Sequence, residues 1–269
     1  MQSPAQKKNA DRFTGFADTY DRARPAMPYY PVERITAYLG RRPDTVVDLG
    51  CGTGLSTLIW QGNCRLAIGI EPSEDMLRLA KERETADRRF QQGFGSDTGL
   101  PDVCCDAVFC SQSFHWMEPV STLREVNRIL KPGGVFATVD CDWPPVTRWE
   151  AEQAYMTLYE KVRALEKALP DVQDTFVRYE KEQHLANIRS SGYFRYCREL
   201  LFSNPERCTA ERLMDLLFSQ GSLHTLQKLH PEKLEAEIAA FRSAIAEIFP
   251  DPAAEFPIAF CYRMRIAVK

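Results

Sequence analysis

Three glycines at alternate positions, Gly50, Gly52 and Gly54, follow Asp48 in the stretch TVVDLGCGTGLSTLIW, residues 45 to 60. Glycine opens backbone conformations denied to other residues and leaves the main chain bare, so a ligand can touch N–H groups directly. Where such a loop leads from a buried strand into a helix, the amides of the helix start favour an anionic or hydrogen-bonding ligand. The next strand-like run ends at Glu71, 17 residues beyond Gly54. An acid at that strand end can accept the hydrogens of both hydroxyls of a ribose. Glycine loop and distant acid together point to a nucleotide-like ligand.

Spacing separates two ligand classes. A dinucleotide fingerprint reads G-x-G-x-x-G, whereas positions 55 and 57 are Leu55 and Thr57, which argues against a nicotinamide-dependent oxidoreductase. Asp48, two residues before Gly50, suits a ligand with an amino-acid tail, whose ammonium it would hold directly or through water.

A second group of side chains follows a later strand in CSQSFHWME, residues 110 to 118. In a parallel α/β sheet the carboxyl ends of the strands are where ligands bind, so Gln112, Ser113, His115 and Trp116 are expected beside the pocket. His115 is a candidate general base, because an ordinary imidazole titrates near ~6.5 and can take a proton from a hydroxyl or amine. It is equally a substrate hydrogen-bond donor, or a histidine that only bonds neighbouring backbone. Phe114 reads as core, and Trp116 as a wall of the acceptor pocket. YDRARPAMPYYP, residues 20 to 31, gathers Tyr20, Arg22, Arg24 and Tyr29 before a helix. Tyr20 could face a cation with its ring, and Arg24 could pair with a carboxylate, while Arg22 is as well explained as surface charge. Trp143, Trp149 and Tyr155, in and after CDWPPVTRW, are further candidates for the acceptor side. The charged run EKEQH, residues 180 to 184, reads as a solvated helix face. His184, His224 and His230 show no metal-ligand spacing with cysteines or acids, so no metal is expected.

The elements that must position these groups alternate. TVVDL (45 to 49), RLAIGI (65 to 70), RRFQQ (88 to 92), DAVFC (106 to 110) and GVFATV (134 to 139) are strand-like runs separated by helical patterns, which implies a mostly parallel α/β sheet. In EPVSTLREVNRIL the residues Val120, Leu123, Val126, Ile129 and Leu130 share one helical face, and KPGG ends that helix. Two charged helical stretches, 147 to 168 and 171 to 190, flank Pro170 and read as an insertion. Strands are expected at 193 to 203 and 256 to 268, with helices near 209 to 219 and 231 to 248.

Composition limits the function classes. The 269 residues suffice for one large domain, and 44% hydrophobic with 26% charged residues is ordinary for a globular chain. A net charge of −3 gives no basic excess for a phosphate backbone, so nucleic acid is not expected as substrate. Nine cysteines without a C-x-x-C pair fit a reducing compartment. No stretch approaches the ~20 apolar residues that span a bilayer, and MQSPAQKKNADRF lacks a signal-peptide core. The chain is accordingly expected to be cytoplasmic and not membrane-bound.

VVDLGCGTG with IGIEPS resembles the first two motifs of class I S-adenosylmethionine-dependent methyltransferases. GFGSDTGLPDVCCDAVFCSQSFHWME and REVNRILKPGGVFATV are similar to the later core motifs of the small-molecule branch that includes trans-aconitate methyltransferase-like proteins, and FADTYDRARPAMPYYP resembles that branch's N-terminal cap. The resemblance covers residues 13 to 140 closely and the C-terminal strands more loosely. It implies a Rossmann-like, seven-stranded, mostly parallel sheet with helices on both faces. Residues 1 to 40 would form the cap, 41 to 142 the cofactor-binding core, 143 to 192 a helical insertion or lid, and 193 to 269 the rest of one domain. It implies S-adenosylmethionine as cofactor, with Asp48, Gly50, Cys51, Gly52 and Gly54 around the methionine part and Glu71 on the ribose. Pro72 and Met76 would flank the adenine. The family's usual adenine-binding acid is replaced by Phe94, leaving Gly95 and Ser96 as backbone contacts and Asp97 as a displaced acid. Tyr20, Arg24, Gln112 and Ser113 would complete the cofactor site, and Tyr29, His115, Trp116 and Trp143 would face a small-molecule acceptor, such as a carboxylate or hydroxyl. For a carboxylate no base is required. The competing reading is a non-catalytic cofactor-binding module that acts through a protein partner.

Overall fold

The run TVVDL opens on three β-branched residues that favour a strand, and all five residues are buried as β1 (Thr45–Leu49) in the computed structural model, which describes residues 8, 9 and 24 to 269. Burial on both faces of a parallel strand explains why its sequence is a continuous apolar run instead of an alternation. The other strands are β2 (Leu66–Glu71), β3 (Arg88–Gln92), β4 (Cys105–Ser111), β5 (Leu130–Val146), β6 (Tyr196–Cys208) and β7 (Phe256–Val268). They form a seven-stranded sheet in the order β3-β2-β1-β4-β5-β7-β6. The first five strands are parallel, and β7 runs antiparallel to both β5 and β6. The α/β, mostly parallel sheet expected from the sequence is the one observed.

Successive strand residues point to opposite faces, and the core divides accordingly. Val46, Phe109, Ala137 and Val139 pack with α1 (Tyr30–Leu39), Trp60 and the inner residues of α4 (Trp149–Ala168). Val47, Val108, Cys110 and Phe136 pack on the other side against α3 (Pro119–Ile129) through Leu123, Val126 and Ile129. Each fully buried Val, Leu, Ile or Phe side chain contributes about 1.5–3 kcal/mol. The start of α3 is set by Pro119 and by the carboxylate of Glu118, which accepts the N–H groups of Val120 and Ser121 at 3.0 and 2.7 Å. Val120, grouped with the buried stripe by spacing, is exposed instead.

β1 has β2 on one side and β4 on the other, so the chain leaves β1 toward β2 and leaves β4 toward β5, in opposite directions, which places a crevice at the carboxyl end of the sheet. At the opposite end the buried carboxylate of Asp106 ties the strand starts together. It accepts the N–H groups of Asp44 and Thr45 at 2.7 and 2.9 Å and pairs with Arg41 and Lys131 at 2.7 and 3.0 Å.

Several element boundaries differ from the expected ones. The glycine loop leads only into a four-residue 3-10 turn, Thr57–Trp60, in place of a long helix. β5 absorbs the KPGG stretch and extends to Val146, where β7 pairs with it from Val135 onward. β6 starts three residues later and ends five later than expected, since it pairs with all of β7. The expected helix 171 to 190 is broken. After α2 (Glu74–Lys81), α3 and α4, α5 (Pro170–Gln173) is a single turn and α6 (His184–Ser190) begins only at His184. Residues 174 to 183 between them run as a strap held by tertiary hydrogen bonds: Val177 N–H donates to Asn9 Oδ1 at 2.8 Å, and Tyr179 N–H to His115 O at 2.8 Å. Three helices close the fold, α7 (Ala210–Phe218), α8 (Gly221–Leu229) and α9 (Glu235–Ile248), and the sequence reading lacks α8. Among the described residues no helix is long and apolar enough to cross a membrane.

Candidate functional site

A cavity of about 740 Å³ opens at the carboxyl ends of β1, β2, β4 and β5, which is the size range of cofactor and substrate pockets. One end is built by the glycine loop, Glu71, Pro72, Met76 and the turn Phe94 to Ser96; the other by Arg24, Trp116, Trp143 and the strap.

The three glycines serve three different purposes. All have positive φ, 66°, 57° and 89° for Gly50, Gly52 and Gly54. A Cβ on Gly50 would lie 2.7 Å from Ser113 Cβ, so this glycine lets the β1 and β4 loops approach. Gly52 has open space where a Cβ would stand, and it lines the cavity. Gly54 does not line it, contrary to expectation: its Cβ would meet the Phe90 ring at 2.8 Å, so its glycine serves packing.

Glu71 joins loop and strand. Its Oε2 accepts Gly52 N–H at 2.9 Å and its Oε1 accepts Ser73 N–H at 2.9 Å. Burial pushes its carboxyl up to about 7, although these two amides favour the ionised form. Asp48, expected to hold an ammonium directly or through water, does not line the cavity. It is buried behind the cavity wall, where its Oδ2 accepts the hydroxyls of Ser56 and Thr57, each at 2.7 Å, and burial raises its carboxyl to about 6. Its Oδ1 is buried without a hydrogen-bond partner. Cys51, Pro72 and Met76 line the cavity as expected. Gly95 and Ser96 form the apex of a turn closed by reciprocal Phe94 and Asp97 backbone hydrogen bonds, both 3.0 Å. That turn presents Phe94, Gly95 and Ser96 to the cavity and leaves Asp97 outside, so Asp97 is not placed as a displaced adenine acid.

After β4, Gln112 adopts φ 54°, a left-handed backbone for a non-glycine residue. Its N–H donates to Val139 O at 2.8 Å, and its Oε1 accepts from Lys181 Nζ at 3.0 Å. Ser113 Oγ donates to Leu49 O at 2.6 Å, linking the two loops. Both residues line the cavity, as do His115 and Trp116 on the short 3-10 turn Phe114–Trp116. Phe114 is core.

Of the acceptor-side candidates, Trp143 lines the cavity, with the Arg24 guanidinium 5.3 Å above its ring. Tyr155 stacks behind Trp143 at 6.4 Å and is buried away from the cavity. Trp149 is exposed elsewhere. Tyr29 is also outside: its hydroxyl donates to Asn63 Oδ1 at 2.8 Å on the surface. Tyr20 and Arg22 lie outside the described residues.

Sequence reading missed a buried charge cluster. Asp140, in β5 just beyond the stretch paired with β4, has Lys181 Nζ at 3.1 Å and His115 Nδ1 at 3.6 Å from Oδ1, and Arg265 NH1 at 2.8 Å and His184 Nε2 at 3.7 Å from Oδ2. Burial alone would raise the Asp140 carboxyl, but the Lys181 charge and the His115 contact hold it well below the carboxylate range. Burial, reinforced by the Lys181 charge, pushes His115 down to about 3, and burial takes His184 to about 4. Lys181 and His184 belong to the EKEQH run expected to be solvated; only Glu180, Glu182 and Gln183 are exposed. The signal available in sequence was the position of Asp140 directly after the expected strand 134 to 139.

His115, Asp140 and His184 also bring potential ligand atoms within 4.8 Å of one another, a grouping that sequence spacing could not reveal. Lys181 and Arg265 already compensate the Asp140 charge, which opposes a divalent cation there. A second cluster lies deeper, where the buried Glu166 pairs with Arg163 at 3.0 Å and Arg178 at 3.3 Å and accepts Ser222 Oγ at 3.0 Å.

Comparison with known proteins agrees with this architecture. A family described as a methyltransferase domain matches residues 47–138. An uncharacterized methyltransferase-like protein of Schizosaccharomyces pombe is 29% identical over 254 residues, covering 93% of this chain and 91% of that one. An uncharacterized methyltransferase of Mycobacterium bovis is 35% identical over 125 residues, 45% of this chain, and the match spans about half of that relative, 49%. The solved structure of a candidate type II methyltransferase from Anaeromyxobacter dehalogenans superposes with a TM-score of 0.68 over 91% of this chain and 97% of that one at 20% identity, a likeness of fold. With the glycine loop, the acid at the end of β2 and the order of the sheet, the matched methyltransferase domain over residues 47–138 supports the resemblance to class I S-adenosylmethionine-dependent methyltransferases.

Proposed function

We propose that the protein binds S-adenosylmethionine in the glycine-loop end of the cavity and transfers its methyl group to an oxygen of a small acidic molecule held at the other end. The observation that carries this reading is one continuous cavity joining the Gly52–Glu71 unit to a chamber lined by cationic side chains. Arg24, Arg163, Arg178, Lys181, Arg263 and Arg265 line it. Asp140, Glu166, Asp142 and Glu199 pair with Arg163, Arg178, Lys181, Arg263 and Arg265, Arg24 NH2 donates to Ser219 O at 3.1 Å, and Glu180 and Glu182 are exposed.

The residues present fit the cofactor. Open space at Gly52 admits a group against bare backbone, and Glu71 offers two carboxylate oxygens to ribose hydroxyls. Pro72, Met76 and Phe94 supply apolar surface for a purine, with Gly95 and Ser96 beside it. S-adenosylmethionine, when bound, supplies a methyl group already activated on a sulfonium. What the chain must add is alignment of the acceptor with that methyl, and orientation alone can account for much of a rate enhancement. Arg24 orients an acidic acceptor by charge, and Trp116 and Trp143 confine it. His115, held at about 3, is a weak base at neutral pH. This favours a carboxylate acceptor, whose lone pair needs no deprotonation, over a hydroxyl.

Calorimetric titration with S-adenosylmethionine, S-adenosylhomocysteine and NAD tests the first half; micromolar binding of the two sulfur compounds and none of NAD is expected. Assays with di- and tricarboxylic acids and with phenols test the second. A methylated product that alkali hydrolyses is an ester and supports the reading, whereas an alkali-stable ether sinks the carboxylate assignment.

A further inference from the structure

The groups that face the His115–Asp140 pair come from every element around it. Lys181 and Glu182 belong to the strap, His184 to α6, Arg265 to β7, and Glu199 of β6 lies behind Arg265 with its Oε2 at 2.9 Å from the guanidinium Nε. His115 Nδ1 is buried and makes no hydrogen bond within range, and both ring nitrogens of His184 are likewise unpaired. An ionised carboxylate buried beside two imidazoles would ordinarily draw a proton onto one of them, because a buried charge demands a counter-charge. Here two other cations meet that demand, and only one of them, Lys181, stands on the same Asp140 oxygen that faces His115.

We propose that Lys181 is the positioning residue of this pair: carried in by the strap of residues 174 to 183, its ammonium takes Asp140 Oδ1 and keeps His115 an uncharged ring. Nδ1 points at Asp140, which leaves Nε2 as the nitrogen able to meet a molecule in the cavity. The ammonium is placed by the fold and not by chance. Tyr179 N–H donates to His115 O at 2.8 Å, two residues before Lys181, and Gln112 Oε1 accepts from Lys181 Nζ at 3.0 Å. Asn9 clips the same strap, its Nδ2 donating to Val177 O and Trp116 O, each at 2.8 Å. Docking of the strap and the charge of His115 are therefore one event. The purpose of the arrangement rests on the methyltransferase reading: an uncharged ring adds no positive charge beside a sulfonium donor.

Histidine-labelled protein allows the test without cofactor or acceptor, because the sequence holds only four histidines and His115→Gln assigns the resonance. Nuclear magnetic resonance titration of the wild type is expected to show His115 uncharged throughout the neutral and mildly acidic range. Lys181→Gln and Lys181→Met, two variants in case one fails to fold, should raise the His115 midpoint by about one to three pH units, the size of a nearby-charge effect. Lys181→Arg should leave it near the wild-type position. A wild-type His115 titrating at the ordinary ~6.5, a midpoint unmoved in the neutral variants, or an equal shift in the arginine variant would overturn the proposal. Failure of the protein to bind S-adenosylmethionine would count against the function proposed above and leave this measurement intact.

Discussion

The backbone N–H of Gly52 donates to the carboxylate of Glu71 at 2.9 Å, so the glycine loop and the acid 19 residues away are one hydrogen-bonded unit before any ligand arrives. A ligand that engages Glu71 with hydroxyl groups needs it ionised, and burial holds the carboxyl at about 7. Affinity for S-adenosylmethionine should therefore be constant above that pH and fall below it by up to about tenfold per unit, since binding must first remove a proton. Glu71→Ala should weaken binding roughly 10- to 100-fold at pH 8, the loss of hydrogen bonds to a charged group, and Tyr29→Phe should leave it within about twofold, Tyr29 lying on the surface. Calorimetry across pH 5.5 to 8.5, a range of about three units, reads all three outcomes, and a pH-independent affinity would count against the role of Glu71.

Gly52 and Gly54 should respond differently to the same substitution. Gly54→Ala places a Cβ 2.8 Å from the Phe90 ring in a left-handed backbone, and overpacking together with strain should destabilise by about 2–4 kcal/mol. Phe90→Leu in the same chain should recover part of the loss. Gly52→Ala meets no neighbour, so it should cost only about 1–2 kcal/mol of backbone strain while abolishing most cofactor affinity. Chemical denaturation beside ligand titration separates the two effects.

Removing the Asn9 side chain leaves the Val177 N–H and the carbonyls of Val177 and Trp116 without its three 2.8 Å hydrogen bonds. Asn9→Ala is expected to cost about 1–3 kcal/mol for each of these groups that stays buried and unpaired. The effect should be local, as accelerated amide exchange at Val177 and Tyr179, with β1 and β4 amides unchanged. Uniform acceleration across the sheet would mean that Asn9 supports the whole fold.

Asp106 makes an acid-sensitive joint at the far end of the sheet. Burial would raise its carboxyl, but hydrogen bonds from Arg41, the Thr45 and Asp44 amides and Lys131 bring it down to about 2. A depressed carboxylate contributes stability that is fully present above its unfolded value near ~3.9 and is lost as pH falls toward 2. Asp106→Asn should destabilise by about 1–3 kcal/mol at pH 7 and flatten the fall in stability between pH 4 and 2. Urea unfolding at several pH values checks both the magnitude and the slope.

The sequence by itself determined the parts whose physics is local. A buried parallel strand reads as an apolar run, bare backbone reads as alternating glycines, and an acid at the next strand end reads as Glu71. These carry the α/β class, the glycine-loop end of the cavity and the family resemblance. Asp48 and Gly54 do not line the cavity, since residue type shows that a loop is special but not which of its side chains face the open space. The tertiary structure decided everything that depends on elements distant in the chain. Asp140, Lys181, His184 and Arg265 meet only because β5, the strap, α6 and β7 converge, and Lys181 and His184 look like solvated surface until the strap is seen to turn inward. His115 carries an ordinary imidazole in sequence and a strongly depressed one in the fold, because burial and a neighbouring ammonium are properties of place, not of residue type.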